Sequence, residues 1–203
     1  MGLALNPWLA GRFAKPVVFL MALLPFGWLV FAAAFDRLGA NPAEALERST
    51  GDWTLRMLCV VLAVTPLRTV FALTSLARFR RMLGLFVYFY AMLHLVAYSW
   101  FDMGFEPGEI GADIVKRPFI LVGFLAVLLL TPLAFTSFNA AIRFLGGRRW
   151  QLLHRTVYAI AALALLHFFW MRAAKQNFAE VAVYAVVLGS LLGWRLFRKF
   201  RPK

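Results

Sequence analysis

The chain has 203 residues, of which 63% are hydrophobic and 15% charged, with a mean hydropathy of +0.75. Soluble domains run about 45–50% apolar and about 25% charged, so this composition excludes a soluble globular domain, a disordered chain and a disulfide scaffold. The net charge of +13 alone would suit nucleic acid, but the apolar fraction points to a membrane, where excess Lys and Arg anchor cytoplasmic loops. A single cysteine, Cys59, rules out disulfides, thiolate metal sites and Cys-x-x-Cys-His heme attachment.

A bilayer core of about 30 Å needs roughly 20 apolar residues per helix. Six stretches meet this in chain order: about Pro16–Phe35, Trp53–Val70, Leu83–Phe101, Pro118–Phe135, Trp150–Met171 and Glu180–Phe197. The first is preceded by Arg12 and Lys15 and followed by Ala32-Ala33-Ala34, the layout of a signal peptide. Its apolar run exceeds the usual signal core of about 7–15 residues, so it reads as an anchor. No break leaves room for a soluble domain. The expected fold is all-α: one polytopic domain over 1–203, six transmembrane helices in a single bundle.

The connections set the orientation. With a cytoplasmic N-terminus, the inner segments hold Arg12, Lys15, Arg68, Arg78, Arg80, Arg81, Arg143, Arg148, Arg149, Arg155, Arg195, Arg198, Lys199, Arg201 and Lys203. The outer segments hold Arg37, Arg48, Arg56, Lys116, Arg117, Arg172 and Lys175, together with every acid in the chain. This segregation places both termini in the cytoplasm by the positive-inside rule, and an odd number of spans would spoil it. A faint internal echo is also visible: Thr65-Pro66-Leu67 and Thr131-Pro132-Leu133 each end a span, and each is followed by an arginine pair and a span bearing Tyr and His. Ordinary helix ends, stopped by Pro and anchored by Arg, account for the same pattern.

All three histidines fall within predicted spans: His94 in the third, His154 and His167 in the fifth. No Asp, Glu or Lys lies well inside any span, which argues against carboxylate-driven transport and leaves imidazole as the main proton-active or metal-binding group at depth. At 1.5 Å per residue, His94 lies roughly 10 Å and His167 roughly 6 Å from the outer ends of their spans. Two imidazoles at matched depth on different helices suit the axial positions of one heme iron, and such ligation favours electron transfer over oxygen activation. The aromatics of these spans, among them Phe89, Tyr90, Trp150 and Phe168, would wall a porphyrin, although interfacial belts explain part of them. One buried histidine is more often an interhelical hydrogen-bonding residue; the matched pair favours ligation. His154 lies about 20 Å inward of His167 and, on an ideal helix, about 140° from its direction. It reads equally as a second ligand, a contact to propionates or quinone, or an interfacial residue. The inner arginines, Arg80, Arg81, Arg149 and Arg155, carry guanidinium forks suited to propionates, quinone oxygens or a flavin phosphate, or serve simply as anchors to anionic lipid.

Several stretches carry a resemblance: Arg80-Arg81-Met82-Leu83-Gly84 through His94, Trp150-Gln151-Leu152-Leu153-His154-Arg155-Thr156-Val157-Tyr158 through His167, Thr65-Pro66-Leu67-Arg68, Lys116-Arg117-Pro118-Phe119 and Thr131–Ser137. Together they resemble the MsrQ (YedZ) family, membrane subunits of a bacterial periplasmic methionine-sulfoxide reductase system. The resemblance implies noncovalent heme b, one or two, and FMN, for which the chain shows no motif. It implies a multi-pass inner-membrane cytochrome that takes electrons from a cytoplasmic flavin reductase or quinol. It would pass them to a periplasmic molybdenum-cofactor enzyme, MsrP, that repairs methionine sulfoxide in proteins, with no nucleic-acid partner. The wider ferric-reductase-like domains hold two hemes with paired histidines on two helices. His154 and His167 match one pair and His94 the outer member of the other. The fourth position falls at Arg80 or Arg81, which puts the inner heme's ligation in question. Readings that compete are a quinol-oxidising cytochrome for another periplasmic enzyme and a non-redox transporter or scaffold.

Overall fold

A computed structural model describes residues 2–173, 176 and 178–200. Lys175, Arg201 and Lys203, which enter the charge tally above, lie outside the described residues. The regular structure described is helical: α1 Gly2–Ala10, α2 Ala14–Ala34, α3 Pro42–Val70, a 3₁₀ turn Thr74–Phe79, α4 Arg80–Phe101, α5 Pro107–Lys116, α6 Pro118–Phe135, α7 Asn139–Leu145, α8 Gly147–His154, α9 Val157–Ala173 and α10 Ala179–Phe200. Six segments are long and apolar enough to cross a membrane: Ala14–Ala34, Pro42–Val70, Thr74–Phe101, Pro118–Phe135, Gly147–Ala173 and Ala179–Phe200. They are the six stretches expected from the sequence, and the fourth agrees to the residue. Two compact units divide the chain, Met1–Asp102 and Met103–Lys203.

In the first unit, α3 starts well before the predicted Trp53. Asn41 caps it by accepting from the Glu44 N–H at 3.2 Å, with Pro42 in the first turn, a standard helix start. Ion pairs Arg48–Glu44 and Arg56–Asp52, each one turn apart, carry the helix through polar sequence that hydropathy alone leaves unassigned. α3 packs along α4 through Leu58, Leu62, Leu83 and Val87, all buried. Tyr90, with 0% exposure, ties α4 to α2. Its hydroxyl donates to the Ala22 carbonyl at 2.8 Å and accepts from the Phe26 N–H at 3.2 Å. Residues 22 and 26 are a helical hydrogen-bonding pair, so the hydroxyl sits within the α2 ladder beside Pro25.

The N-terminal helix is fastened to the turn before α4. Asn6 donates to Ala72 O at 2.9 Å and accepts from Ser75 N–H at 3.3 Å, while Ser75 Oγ donates to Asn6 O. Arg78 donates to the carbonyls of Leu9, Ala10 and Gly11 at the end of α1, satisfying acceptors that a helix C-terminus leaves unpaired.

In the second unit, α6 packs against α9 around Ala126, Leu130, Ile160 and Ala161. The predicted fifth span is not one helix: it is divided between His154 and Val157 into α8 and α9. Thr156 donates its hydroxyl to Leu153 O at 2.8 Å, and the Arg155 N–H reaches Leu152 O as well as Gln151 O. These local bonds compete with the continuing ladder. An ideal-helix rotation between His154 and His167 therefore does not apply. Near the start of α10, Glu180 meets Arg172 of α9 at 2.6 Å; Arg172 is a buried cation, 9% exposed.

Candidate functional site: two histidines on glycine-backed carbonyls

His94 and His167 occupy closely similar surroundings in their separate units. His94, on α4, places Nδ1 2.9 Å from the Glu47 carbonyl of α3. His167, on α9, places Nδ1 2.7 Å from the Phe119 carbonyl of α6. A carbonyl only accepts, so each Nδ1 carries a proton, and in the neutral form of either ring the lone pair is then on Nε2. This is the tautomer and the outer-shell partner typical of metal-ligating histidine, where a hydrogen bond at one nitrogen fixes the ring and raises the basicity of the other.

A glycine accompanies each carbonyl. Gly51 and Gly123 stand four residues after Glu47 and Phe119, on the same helix. A Cβ built on Gly51 would lie 3.1 Å from His94 Cε1 and 3.2 Å from Nδ1. One built on Gly123 would lie 2.8 Å from His167 Nδ1 and 2.9 Å from Cε1. The imidazoles therefore rest directly on backbone. Phe119 adds a ring 6.3 Å from His167, and Arg117 stacks over Phe119 while pairing with Asp113.

His154 is held differently. Its Nε2 is 3.1 Å from Thr136 Oγ1, at the far end of α6 from Phe119. The Thr136 hydroxyl donates its one proton to Pro132 O at 2.6 Å, so His154 Nε2 must donate to it, which leaves the lone pair on Nδ1. Trp150 stacks on the ring at 3.9 Å between centroids and donates Nε1–H to Thr136 O at 2.8 Å. Seventeen residues of α6 separate Phe119 from Thr136, about 26 Å of helix, so the structure keeps His154 and His167 apart along α6. Arg80 and Arg81 stand at the start of α4, Arg149 on α8 and Arg155 at the break before α9, all exposed.

Among the described residues, no three His, Cys, Asp or Glu side chains converge into a cage for a bare metal ion. Heme brings four ring nitrogens of its own, and a neutral imidazole nitrogen such as Nε2 of His94 or of His167 is the kind of donor that would hold its iron. The residues present thus fit heme iron by the chemistry of their donors. The sequence reading named both histidines but missed Gly51, Gly123 and the carbonyls behind them.

Known proteins resemble the chain over most of its length. The family model described as "Ferric reductase like transmembrane component" matches residues 50–166, a stretch containing Gly51, His94, Gly123 and His154 that ends one residue before His167. The chain is 65% identical over 197 residues to the "Protein-methionine-sulfoxide reductase heme-binding subunit MsrQ" of Polaromonas naphthalenivorans, covering 94% of this chain and 90% of that one. Proteins of the same name from Herminiimonas arsenicoxydans and Ralstonia nicotianae are each 52% identical, covering 90% and 94% of this chain and 84% and 88% of their own. No solved structure matches the chain. With six apolar helices and relatives of this kind, the chain is a multi-pass protein of the bacterial inner membrane, and it belongs to the MsrQ family within the ferric-reductase-like transmembrane proteins.

Proposed function

We propose that the chain is a b-type cytochrome subunit that carries electrons from the cytoplasmic side or the quinone pool to a periplasmic molybdenum-cofactor reductase of methionine sulfoxide, MsrP. The observation that supports this most is the pair of imidazoles, each with Nδ1–H on a backbone carbonyl at 2.9 or 2.7 Å. In this reading His94 and His167 would hold heme iron through Nε2, and heme held there would supply reversible one-electron exchange.

The chain's own residues do the holding and orienting. Glu47 O and Phe119 O hold a proton on each Nδ1 and so direct ligation to Nε2. His154, bonded through Nε2 to Thr136 and covered by Trp150, is assigned to fixing the junction of α6, α8 and α9 rather than to iron. The exposed Arg80, Arg81, Arg149 and Arg155 are assigned to anionic oxygens on the cytoplasmic side, whether of quinone, lipid or a flavin phosphate. FMN enters through resemblance alone and is given no step. The charge segregation supports cytoplasmic termini, and with them His94 and His167 toward the periplasm.

The test is spectral. Wild-type protein purified in detergent gives a Soret band and a reduced-minus-oxidised b-type spectrum, and His94→Ala and His167→Ala each lose it. Pyridine hemochrome against protein mass counts the hemes. Wild-type protein without a Soret band, or both variants with full heme content, overturns the proposal and leaves transport or scaffolding.

A further inference from the structure

The helical geometry of Gly51 and Gly123 has a chemical consequence for the histidines. In an α-helix the N–H of residue i+4 points at the carbonyl of residue i. A side chain at i+4 therefore stands next to that carbonyl and screens it from a second donor approaching across the helix pair. Both carbonyls that accept from a histidine have glycine at i+4: Glu47 with Gly51, and Phe119 with Gly123. In both cases the ring occupies the place a Cβ would take. Other glycines in long helices do not share this. A Cβ on Gly84 of α4 or Gly189 of α10 meets nothing within 4 Å, so these positions do not need glycine for space.

We propose that Gly51 and Gly123 are positioning residues for the two imidazoles: by leaving a lone pair of the preceding-turn carbonyl accessible, they fix which nitrogen is protonated and how each ring is rotated about its axis. The inference rests on the reading of His94 and His167 as heme ligands. It extends that reading to how strongly and in what orientation those ligands bind. Outer-shell hydrogen bonds of this kind are worth about 10–100-fold in metal affinity. The two sites are unequal: the approach is 2.8 Å at Gly123 and 3.1 Å at Gly51, so Gly123 is the more sensitive.

The experiment compares full-length Gly123→Ala, Gly51→Ala and Gly84→Ala with wild type by heme content, low-spin electron paramagnetic resonance and midpoint potential. Gly123→Ala shifts the low-spin g-values and the potential or converts heme to high spin. Gly51→Ala does so less, and Gly84→Ala matches wild type. A second measurement covers the case in which Gly123→Ala does not accumulate. In His167→Gly, added imidazole restores the low-spin spectrum, whereas 1-methylimidazole, which has no N–H to give to Phe119 O, requires about 10-fold more. Wild-type spectra in both Gly123→Ala and Gly51→Ala, changes no larger than those of Gly84→Ala, or equal rescue by the two imidazoles, overturns the positioning role. Any of these with a normal wild-type Soret band leaves the heme reading intact. Absence of that band in wild type overturns the heme reading and the positioning role with it.

Discussion

Gly123→Ala should reverse the sign of an ordinary helix substitution. Replacing glycine by alanine inside a helix removes backbone freedom from the unfolded chain and gains about 0.5–1 kcal/mol where there is room. At Gly123 there is none: the new Cβ would lie 2.8 Å from His167 Nδ1 against an ordinary contact of 3.4 Å or more, so the ring must retreat by about 0.6 Å, the overpacked situation that costs about 1–3 kcal/mol. The retreat lengthens a 2.7 Å bond to Phe119 O, whose weakening adds up to about 1 kcal/mol. The net loss then lies between about 0 and about 3.5 kcal/mol, centred on about 2. At Gly51 the shortest approach is 3.1 Å; a shift of about 0.3 Å roughly cancels the propensity gain. Gly84 and Gly189 face open space and should gain about 0.5–1 kcal/mol. Thermal or SDS-titration midpoints of heme-free protein in one detergent give the ranking directly: Gly84→Ala and Gly189→Ala above wild type, Gly51→Ala near it, Gly123→Ala below. A Gly123→Ala midpoint at or above that of Gly84→Ala would refute the steric argument.

The remaining contacts give four further expectations. Thr136→Val removes the partner of His154 Nε2 and should cost about 1 kcal/mol while leaving Soret intensity at the wild-type level; loss of heme in this variant would contradict the separation of His154 from the iron ligands. Glu180→Gln leaves the 9%-exposed Arg172 without its carboxylate and should lower stability by about 1–3 kcal/mol; a midpoint shift that vanishes at low salt would count against it. Asn6→Ala deletes two hydrogen bonds to the 72–75 turn, about 2 kcal/mol of local attachment, and should speed proteolysis before Arg12; unchanged cleavage kinetics would show that Arg78 and the Ser75 bond to the Asn6 carbonyl suffice to hold α1. A green fluorescent protein fused after Lys203 should fluoresce and an alkaline phosphatase fused there should be inactive, with the reverse pair of results refuting a cytoplasmic C-terminus.

How much of this was legible in the sequence depended on what each feature needs in order to form. Spans are imposed by hydrocarbon thickness and appear as apolar runs; Pro118–Phe135 was readable to the residue because Pro118 starts it and the Thr136–Ser137 turn ends it. The start of α3 was not readable from hydropathy, because Glu44, Arg48, Asp52 and Arg56 pay for their polarity by pairing one turn apart and by a cap at Asn41. The division of α8 from α9 was hidden for another reason. Leu153 to Tyr158 contains no glycine or proline, and the break coincides with local bonds of Arg155 and Thr156 that the residue types do not announce. His94 and His167 could be picked out as rare titratable groups at depth. Gly51 and Gly123 could not, because a glycine in an apolar helix has many uses, and only the pairing of α3 with α4 and of α6 with α9 in the fold shows which ring it faces.

The same pairing corrects the echo between the two halves. Taken from Thr-Pro-Leu, the repeat is out of register: Pro66 precedes His94 by 28 residues and Pro132 precedes His167 by 35. Taken from the histidine contacts, it is nearly in register. His94 lies 47 residues after its carbonyl and 43 after its glycine; for His167 these separations are 48 and 44. Thr-Pro-Leu marks where a helix ends. The carbonyl, the glycine one turn later and the imidazole opposite are held together in space by a hydrogen bond under 3 Å with the glycine beneath the ring; their separation in the sequence also includes the connections after Pro66 and Pro132, which this contact does not fix. What recurs in the two units is the arrangement of carbonyl, glycine and imidazole rather than the loop chemistry. A change that alters the distance between paired helices at the histidine should disturb heme ligation, whereas one that lengthens the connection after Pro66 or Pro132 should not.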